Sequence, residues 1–380
     1  MARTIGWDEL RSLAAFEAEK GCAISLYLDL DPSASPTAGD AATRLRSLLD
    51  EAAKAEEANR RDLSHEQRQA VKSDFDRIRS YYEQDFNRNG ARGLAVFSAG
   101  LDNLWRTLPL TEAVADSVKV ARMLYLAPLV PLVGRGEGAI VVVVGKEQGR
   151  FYRLRAGRLE EIADLFDEQP GRHDQGGWSQ ARYQRHIDEL VHDHMREVAE
   201  TLDRLVRRLR GPQVVIVGSD ENRAELDDLL SPEAKSAVAG SAHAEAHAGA
   251  AELLAAAEPV LEGWRAAKEQ EIVERWREEA GRSGRAASGW VATLEAASDG
   301  RVDLLLFEDG AARSAWRCPA CGRLAAGAGD CPLDGTRMES SSDGLDLAVH
   351  QTLAHGGSVW ALRHADDLGP VEGIGALLRY

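Results

Sequence analysis

Two stretches of the 380-residue sequence carry residues whose types and spacing can do chemistry. The first is GRHDQGGWSQARYQRHIDELVHDHMREVAETL, Gly171 to Leu202. Paired glycines, Gly176 and Gly177, open backbone conformations closed to other residues and let a loop approach a ligand closely. Arg172, Arg182 and Arg185 flank the pair, with His173 and His186 beside them. Main-chain donors near a helix start, together with arginines, suit a phosphate or a developing oxyanion. The plainer reading is an ordinary glycine-bearing loop ahead of an amphipathic helix.

The second stretch holds three of the four cysteines. Cys318-Pro-Ala-Cys321-Gly sets two thiolates on a tight turn, spaced to meet one tetrahedral ion. Cys331-Pro-Leu-Asp334-Gly repeats the turn with Asp334 where a fourth cysteine would complete the set. Cys318, Cys321, Cys331 and Asp334 therefore form a candidate structural zinc site. The alternative is a degenerate knuckle held by its own prolines and glycines. No helix-borne histidine pair with a nearby glutamate accompanies it, so catalytic metal chemistry is not expected, nor is an organic cofactor. His192 and His194 stand two residues apart on one helix, on different faces, and make poor joint ligands. Cys22, just ahead of a strand, reads as a small buried apolar residue.

The elements that must carry these residues divide into three blocks, residues 1–132, 133–245 and 246–380. The fold class is α/β and α+β: three domains of mixed sheets with flanking helices. The first block opens with a helix, Trp7 to Glu19, and a strand at Ala23–Leu30. A charged helical stretch from Ala41 to Phe86 follows, broken near Ser64-His-Glu-Gln67, which spells a capping box. ARGLAVFSA and NLWRTLPL then read as a strand pair.

In the central block, Ala139–Gly145 and Gly149–Arg155 form a hairpin, and RLEEIADL adds a third strand. The polar loop Asp167–Gln180 leads into a long helix whose stripe runs through Ile187, Val191, Val198, Leu202, Leu205 and Leu209. At roughly 30 residues such a helix is about 45 Å long. VVIVGSDENRAELDDLL continues as strand, glycine turn and helix.

The C-terminal block begins in an alanine-rich stretch and holds a charged helix, Glu262–Ala280. After it come a helix and buried strand in GWVATLEAASDGRVDLLLFEDG, the knuckle inserted at 318–335, a helix at Leu345–Ala354, and the strands GSVWALR and GIGALLRY.

Composition narrows the function classes. Acidic residues outnumber basic ones, 62 to 46, for a formal charge of −16, which argues against coating nucleic acid by bulk electrostatics. It leaves room for reading a folded RNA through a local basic patch. No apolar run approaches the ~18–20 residues that span a bilayer, and MARTIGWDELRSL lacks the pattern of a secretory signal. Four cysteines so placed make no disulfide framework. A cytoplasmic monomer without membrane contact is expected.

Around the glycine pair, Arg172-His173 before it, Gln180-Ala-Arg-Tyr after it and the charged positions along the helix resemble the central domain of the archaeo-eukaryotic class-1 peptide release factors. There a Gly-Gly-Gln tip precedes a long helix and enters the ribosomal peptidyl transferase centre. VVIVG resembles the strand that follows that helix, and the terminal GIGALLRY is similar to the end of Pelota-like C-terminal domains. The chain is identified as a bacterial member of this release factor/Pelota superfamily, the resemblance covering all three blocks and strongest in the middle and at the C-terminus.

The tip departs from the pattern. It reads Gly176-Gly177-Trp178-Ser179-Gln180, closer to the Gly-Ser-Gln form of the eukaryotic ribosome-quality-control proteins that free nascent chains from tRNA, with Trp178 inserted. Carried over by position, Gly176 and Gly177 give backbone freedom to enter a narrow channel. Gln180 presents its main-chain N–H or side-chain amide to the scissile site, and Ser179 is a secondary polar contact. Arg172, His173, Arg182 and Arg185 become RNA contacts. Trp178 either stacks on a base, worth ~1–3 kcal/mol, or folds back onto its own helix.

The resemblance implies a translation rescue factor that enters the A site and frees the nascent chain, by ester hydrolysis or by cutting near the tRNA 3′ end. Its partners would be large-subunit rRNA, peptidyl-tRNA and a delivering translational GTPase. A second reading is a non-catalytic A-site binder acting in hibernation or surveillance. A third is a cytosolic α/β protein unrelated to ribosomes, using its zinc ribbon for protein contacts. The first block lacks codon-reading motifs, which disfavours codon-dependent release.

Overall fold

Strand periodicity explains the first sheet. The computed structural model describes residues 5–59, 63–133, 138–155, 157–166, 178–209, 212–245, 247–282, 284–363 and 368–380. Helix α1 (Trp7–Ala14) precedes strand β1 (Ala23–Asp29), followed by helices α2 (Ala38–Asn59) and α3 (His65–Ser80). Strands β2 (Gly93–Ala99), β3 (Leu104–Leu110) and β4 (Ser117–Ala121) complete an antiparallel sheet in the order β3-β2-β1-β4.

Along β1, Ile24, Leu26 and Leu28 join a core with Leu45 and Leu49 of α2 and Val71, Phe75 and Ile78 of α3. Ala23 and Tyr27 belong to a second core on the opposite face. Burial on both faces is why this strand reads as one continuous apolar run. The capping box is formed as its residues foretell. The Gln67 N–H donates to Ser64 Oγ at 3.2 Å, and the Ser64 N–H donates to Gln67 Oε1 at 3.0 Å. The first helix is shorter than its sequence suggests. It stops at Ala14, because Ala18 N–H donates to the Arg122 carbonyl and Glu17 bridges Met123, which draws the chain into extended pairing.

The middle of the chain forms a second sheet. It is built from β5 (Ile140–Val144), β6 (Gln148–Arg155), β7 (Arg158–Phe166), β8 (Val214–Val217) and β9 (Val238–Ala242), with helices α4 (Trp178–Arg208), α5 (Asp220–Leu229), α6 (Pro232–Ala237) and α7 (Ala250–Gly281). The order is β7-β6-β5-β8-β9, an antiparallel meander joined at β5 to the parallel strands β8 and β9.

Ile140, Val142, Val144, Val214 and Ile216 pack with α4, α5 and α6. Their alternates Val141, Val215 and Val217 pack with Leu253, Ala257 and Leu261 of α7. Helix α7 begins twelve residues before Glu262, so the alanine-rich stretch is helix; alanine has the strongest helix propensity, and the four-residue step of those three residues faces the sheet.

The last part carries β10 (Ala286–Ser288), α8 (Gly289–Ser298), β11 (Val302–Glu308), β12 (Ala315–Arg317), β13 (Leu324–Ala325), β14 (Glu339–Ser341), α9 (Gly344–Ala354), β15 (Ser358–Leu362) and β16 (Ile374–Leu378). One sheet has the order β10-β16-β11-β15, and a small one the order β13-β12-β14. Contacts gather the chain into two units, Met1–Arg135 with Lys268–Tyr380, and Gly136–Ala267. Within the first unit, Leu10 and Leu13 of α1 and Tyr27 of β1 share one core with Trp290 and Leu294 of α8, Leu305 of β11, Leu347 of α9 and Ile374 of β16.

Candidate functional site

Helix α4 is 31 residues long, about 46 Å at ~1.5 Å per residue. Met195, Val198, Ala199, Leu202 and Val206 are buried against the sheet, as is His194, while residues 189–193 are exposed or half-buried. Val191 packs on the same core, and Trp178 stands thirteen residues, ~20 Å of helix, ahead of it. Close approach to β6 is secured by Gly149, where a Cβ would lie 2.5 Å from Val198 Cγ2.

Of the proposed tip residues, Arg172, His173, Gly176 and Gly177 lie outside the described residues. Trp178, Ser179, Gln180, Arg182 and Arg185 fall in the first two turns of α4, where the backbone is described and the side chains are not. The sequence reading extends the loop to Gln180; the helix begins at Trp178. Ser179 and Gln180 thus sit in a first turn, whose N–H groups have no acceptor within the helix. Such a turn favours negative charge. His192 and His194 do not converge: His192 lies half-exposed, 3.6 Å from Glu225 Oε1, and His194 is buried.

The cysteine cluster is assembled as its spacing foretells. Donor atoms of Cys318, Cys321, Cys331 and Asp334 all lie within 4.8 Å of one another. Cys321 Sγ is 3.5 Å from Cys331 Sγ, and Cys318 Sγ is 3.5 Å from Asp334 Oδ2. Two turns of the same construction hold them. Gly322 N–H donates to the Cys318 carbonyl and Gly335 N–H to the Cys331 carbonyl, each at 2.9 Å. Gly322 and Gly335 both take left-handed φ, +77° and +73°, which other residues resist. β12, β13 and β14 frame the cluster, and Cys318 and Cys331 are buried with Met338.

The four donors crowd one another electrostatically. The main-chain and side-chain donors of Thr336 hold Asp334 down at about 2. Burial pushes Cys318 up, but the Cys321 and Ala320 amides outweigh it and leave the thiol below its ordinary value. Cys321 is drawn down by the Arg323 amide, yet desolvation and the crowding of Cys331, Cys318 and Asp334 push it up to about 12. A divalent ion would relieve that crowding and let all four donors ionise. Thr336 was not singled out from sequence; its N–H reaches Asp334 Oδ1 at 2.9 Å and fixes the carboxylate. The signal was present in the parallel between Cys-Pro-Ala-Cys-Gly-Arg and Cys-Pro-Leu-Asp-Gly-Thr.

A family model described as "Bacterial archaeo-eukaryotic release factor family 10" matches residues 125–262, which include the glycine-rich loop, α4 and the five-stranded sheet. Peptide chain release factor subunit 1 of Thermococcus onnurineus is 25% identical over 256 residues, 62% of each chain. The chain thus spans about three-fifths of that relative's length. The same factor from Archaeoglobus fulgidus is 23% identical over 341 residues, 85% of this chain and 81% of that one. Among solved structures, Archaeoglobus fulgidus Pelota aligns over 100% of this chain and 93% of its own at 15% identity, with a TM-score of 0.35. No described helix is long and apolar enough to cross a membrane.

Proposed function

Because this chain belongs to the archaeo-eukaryotic release factor/Pelota superfamily, we propose that it is a ribosome-associated translation factor that carries a glycine-rich apex into the peptidyl transferase centre and frees the nascent chain from peptidyl-tRNA. The observation that carries the reading is the coincidence of the family match, residues 125–262, with a glycine-bearing sequence that leads into a 31-residue helix packed on the central sheet. A long helix behind a glycine-bearing loop suits an apex that must act in a cavity the protein does not itself supply.

Roles follow from position. Gly176 and Gly177 give the backbone its freedom. Gln180, in the first turn of α4, presents an N–H or its amide to the developing oxyanion, worth roughly 3–4 kcal/mol of transition-state stabilisation for one well-placed donor. Ser179 adds a polar contact. Arg172, His173, Arg182 and Arg185 meet phosphates, and Trp178 stacks on RNA. The ribosome supplies the remaining groups, so the protein needs no catalytic metal. Zinc is proposed for Cys318, Cys321, Cys331 and Asp334 as a structural ion, supported by the soft thiolate set and by the convergence of its four donors within 4.8 Å.

Release from purified stalled ribosomes and large subunits tests the proposal. Wild type should liberate peptide, and Gln180→Ala should co-sediment equally while releasing about a hundredfold to a thousandfold more slowly. Intact peptidyl-tRNA alongside normal sedimentation of wild type would leave the second reading, an A-site binder without chemistry. Gln180 with its adjacent glycines favours the catalytic reading, whereas the inserted Trp178 favours neither.

A further inference from the structure

The knuckle divides into two pairs of unlike chemistry. Cys321 Sγ and Cys331 Sγ stand 3.5 Å apart, and Cys318 Sγ stands 3.5 Å from Asp334 Oδ2. A thiol is readily oxidised and a carboxylate is not, so three cysteines and one aspartate allow a single internal disulfide. Access differs as well. Cys318 and Cys331 are buried, whereas Cys321 is exposed beside the exposed Pro319 and Ala320. An oxidant in solution therefore meets Cys321 first.

Local bonding selects its partner. Cys318 Sγ accepts from the Cys321 N–H at 3.5 Å, inside the turn that Gly322 closes, so a Cys318–Cys321 bond competes with that turn. Cys331 belongs to the other turn, and a bond to it asks neither turn to unwind. Bringing the two sulfurs from 3.5 Å to the ~2.0 Å of a disulfide is a side-chain movement. We propose that Cys321 and Cys331 are a hydroperoxide-reactive pair whose disulfide joins the two turns and expels the structural zinc.

The expulsion rests on the zinc reading above, and the bond rests on the sulfur geometry. Sulfurs that ligate zinc are thiolates. The Cys321 thiolate attacks the terminal peroxide oxygen and the O–O bond breaks; a sulfenic acid forms, and the other oxygen leaves, taking a proton to become an alcohol or water. The Cys331 thiolate then attacks the Cys321 sulfur and the S–O bond breaks, the hydroxide leaving as water with a second proton from solvent. Two thiolates, one hydroperoxide and two protons thus yield one disulfide, one alcohol or water from the peroxide, and one further water. Cys318 and Asp334 alone remain as donors, against the four that a structural zinc takes.

The full-length protein, as purified, is treated with hydrogen peroxide, unfolded in iodoacetamide and digested with trypsin. Cleavage after Arg317, Arg323 and Arg337 leaves Cys318 and Cys321 on one peptide and Cys331 on another. Mass spectrometry should find these peptides linked through Cys321, with Cys318 and Cys22 alkylated, and a metal-binding dye should record one zinc released per link. Dithiothreitol should undo the link. A Cys318–Cys321 link, unchanged thiols, or sulfinic acid at Cys321 without a link overturns the proposal, and so does linked protein that keeps its zinc. A Cys321–Cys331 link in protein purified without zinc supports the reactive pair and counts against the zinc reading, so the two failures are told apart.

Discussion

Gly149 on β6 and Val198 on α4 approach so closely that a Cβ on the glycine would stand 2.5 Å from the valine Cγ2. That contact lies where the long helix is buried against the sheet. Gly149→Val should destabilise the central unit by ~1–3 kcal/mol through overpacking. Gly145→Ala, whose Cβ would meet the Gln148 carbonyl oxygen at 3.5 Å, is the control and should lie within about 0.5 kcal/mol of wild type. Urea unfolding followed by circular dichroism compares them, and equal stabilities would contradict the packing argument.

Metal content follows from the knuckle. Purified protein should hold one zinc per chain, and Cys318→Ser or Cys331→Ser should lose it with a fall in melting temperature. Asp334→Cys, which restores four thiolates, should retain the ion against a chelator for longer. Elemental analysis together with thermal melts decides the matter; metal-free protein with an unchanged melt would mean that the two turns stand on their glycines alone.

Alkali should act through buried tyrosines. Burial, reinforced by Asp346 and Tyr125, pushes the Tyr27 phenol well above its ordinary value. Burial, with Asp346 and Asp343, pushes Tyr125 up to about 12. Both values are raised in the folded state, so the folded chain keeps protons that the unfolded chain gives up. Their contribution is present below the ordinary phenol value, ~10, and is lost as pH climbs through the folded values. Ultraviolet titration should show Tyr27 and Tyr125 ionising late, with Tyr27 joining at the unfolding transition. In Tyr27→Phe that last step should disappear.

The capping residue of α3 offers a smaller test. Ser64→Ala removes the acceptor for the Gln67 N–H and should cost about 1 kcal/mol of stability, measured by chemical unfolding.

What the sequence made legible has a physical pattern. β1, β5 and β8 announce themselves because burial on both faces leaves them uniformly apolar, and α4 because its stripe is long. β4 (SVKVA) alternates but is only five residues long and half-buried throughout, and β9 (VAGSA) is an edge strand of small residues without alternation. The start of α7 is hidden in alanines, which have helix propensity without polar contrast. The four knuckle donors fall within seventeen residues, so their spacing is readable. His350 and Asp346 meet backbone atoms more than two hundred residues away, and backbone leaves no mark in side-chain patterns.

The pitch of a helix ties its length to an angle. Each residue of α4 turns the axis by ~100°, so one residue added between Gln180 and His194 would advance the apex ~1.5 Å and swing it to another compass bearing. Seven added residues would lengthen the reach by ~10 Å yet return the bearing to within ~20°. Length and aim are thereby separable quantities in this protein, and release measured across such insertions would reveal whether the ribosome cares more for how far the apex extends or for which way it looks.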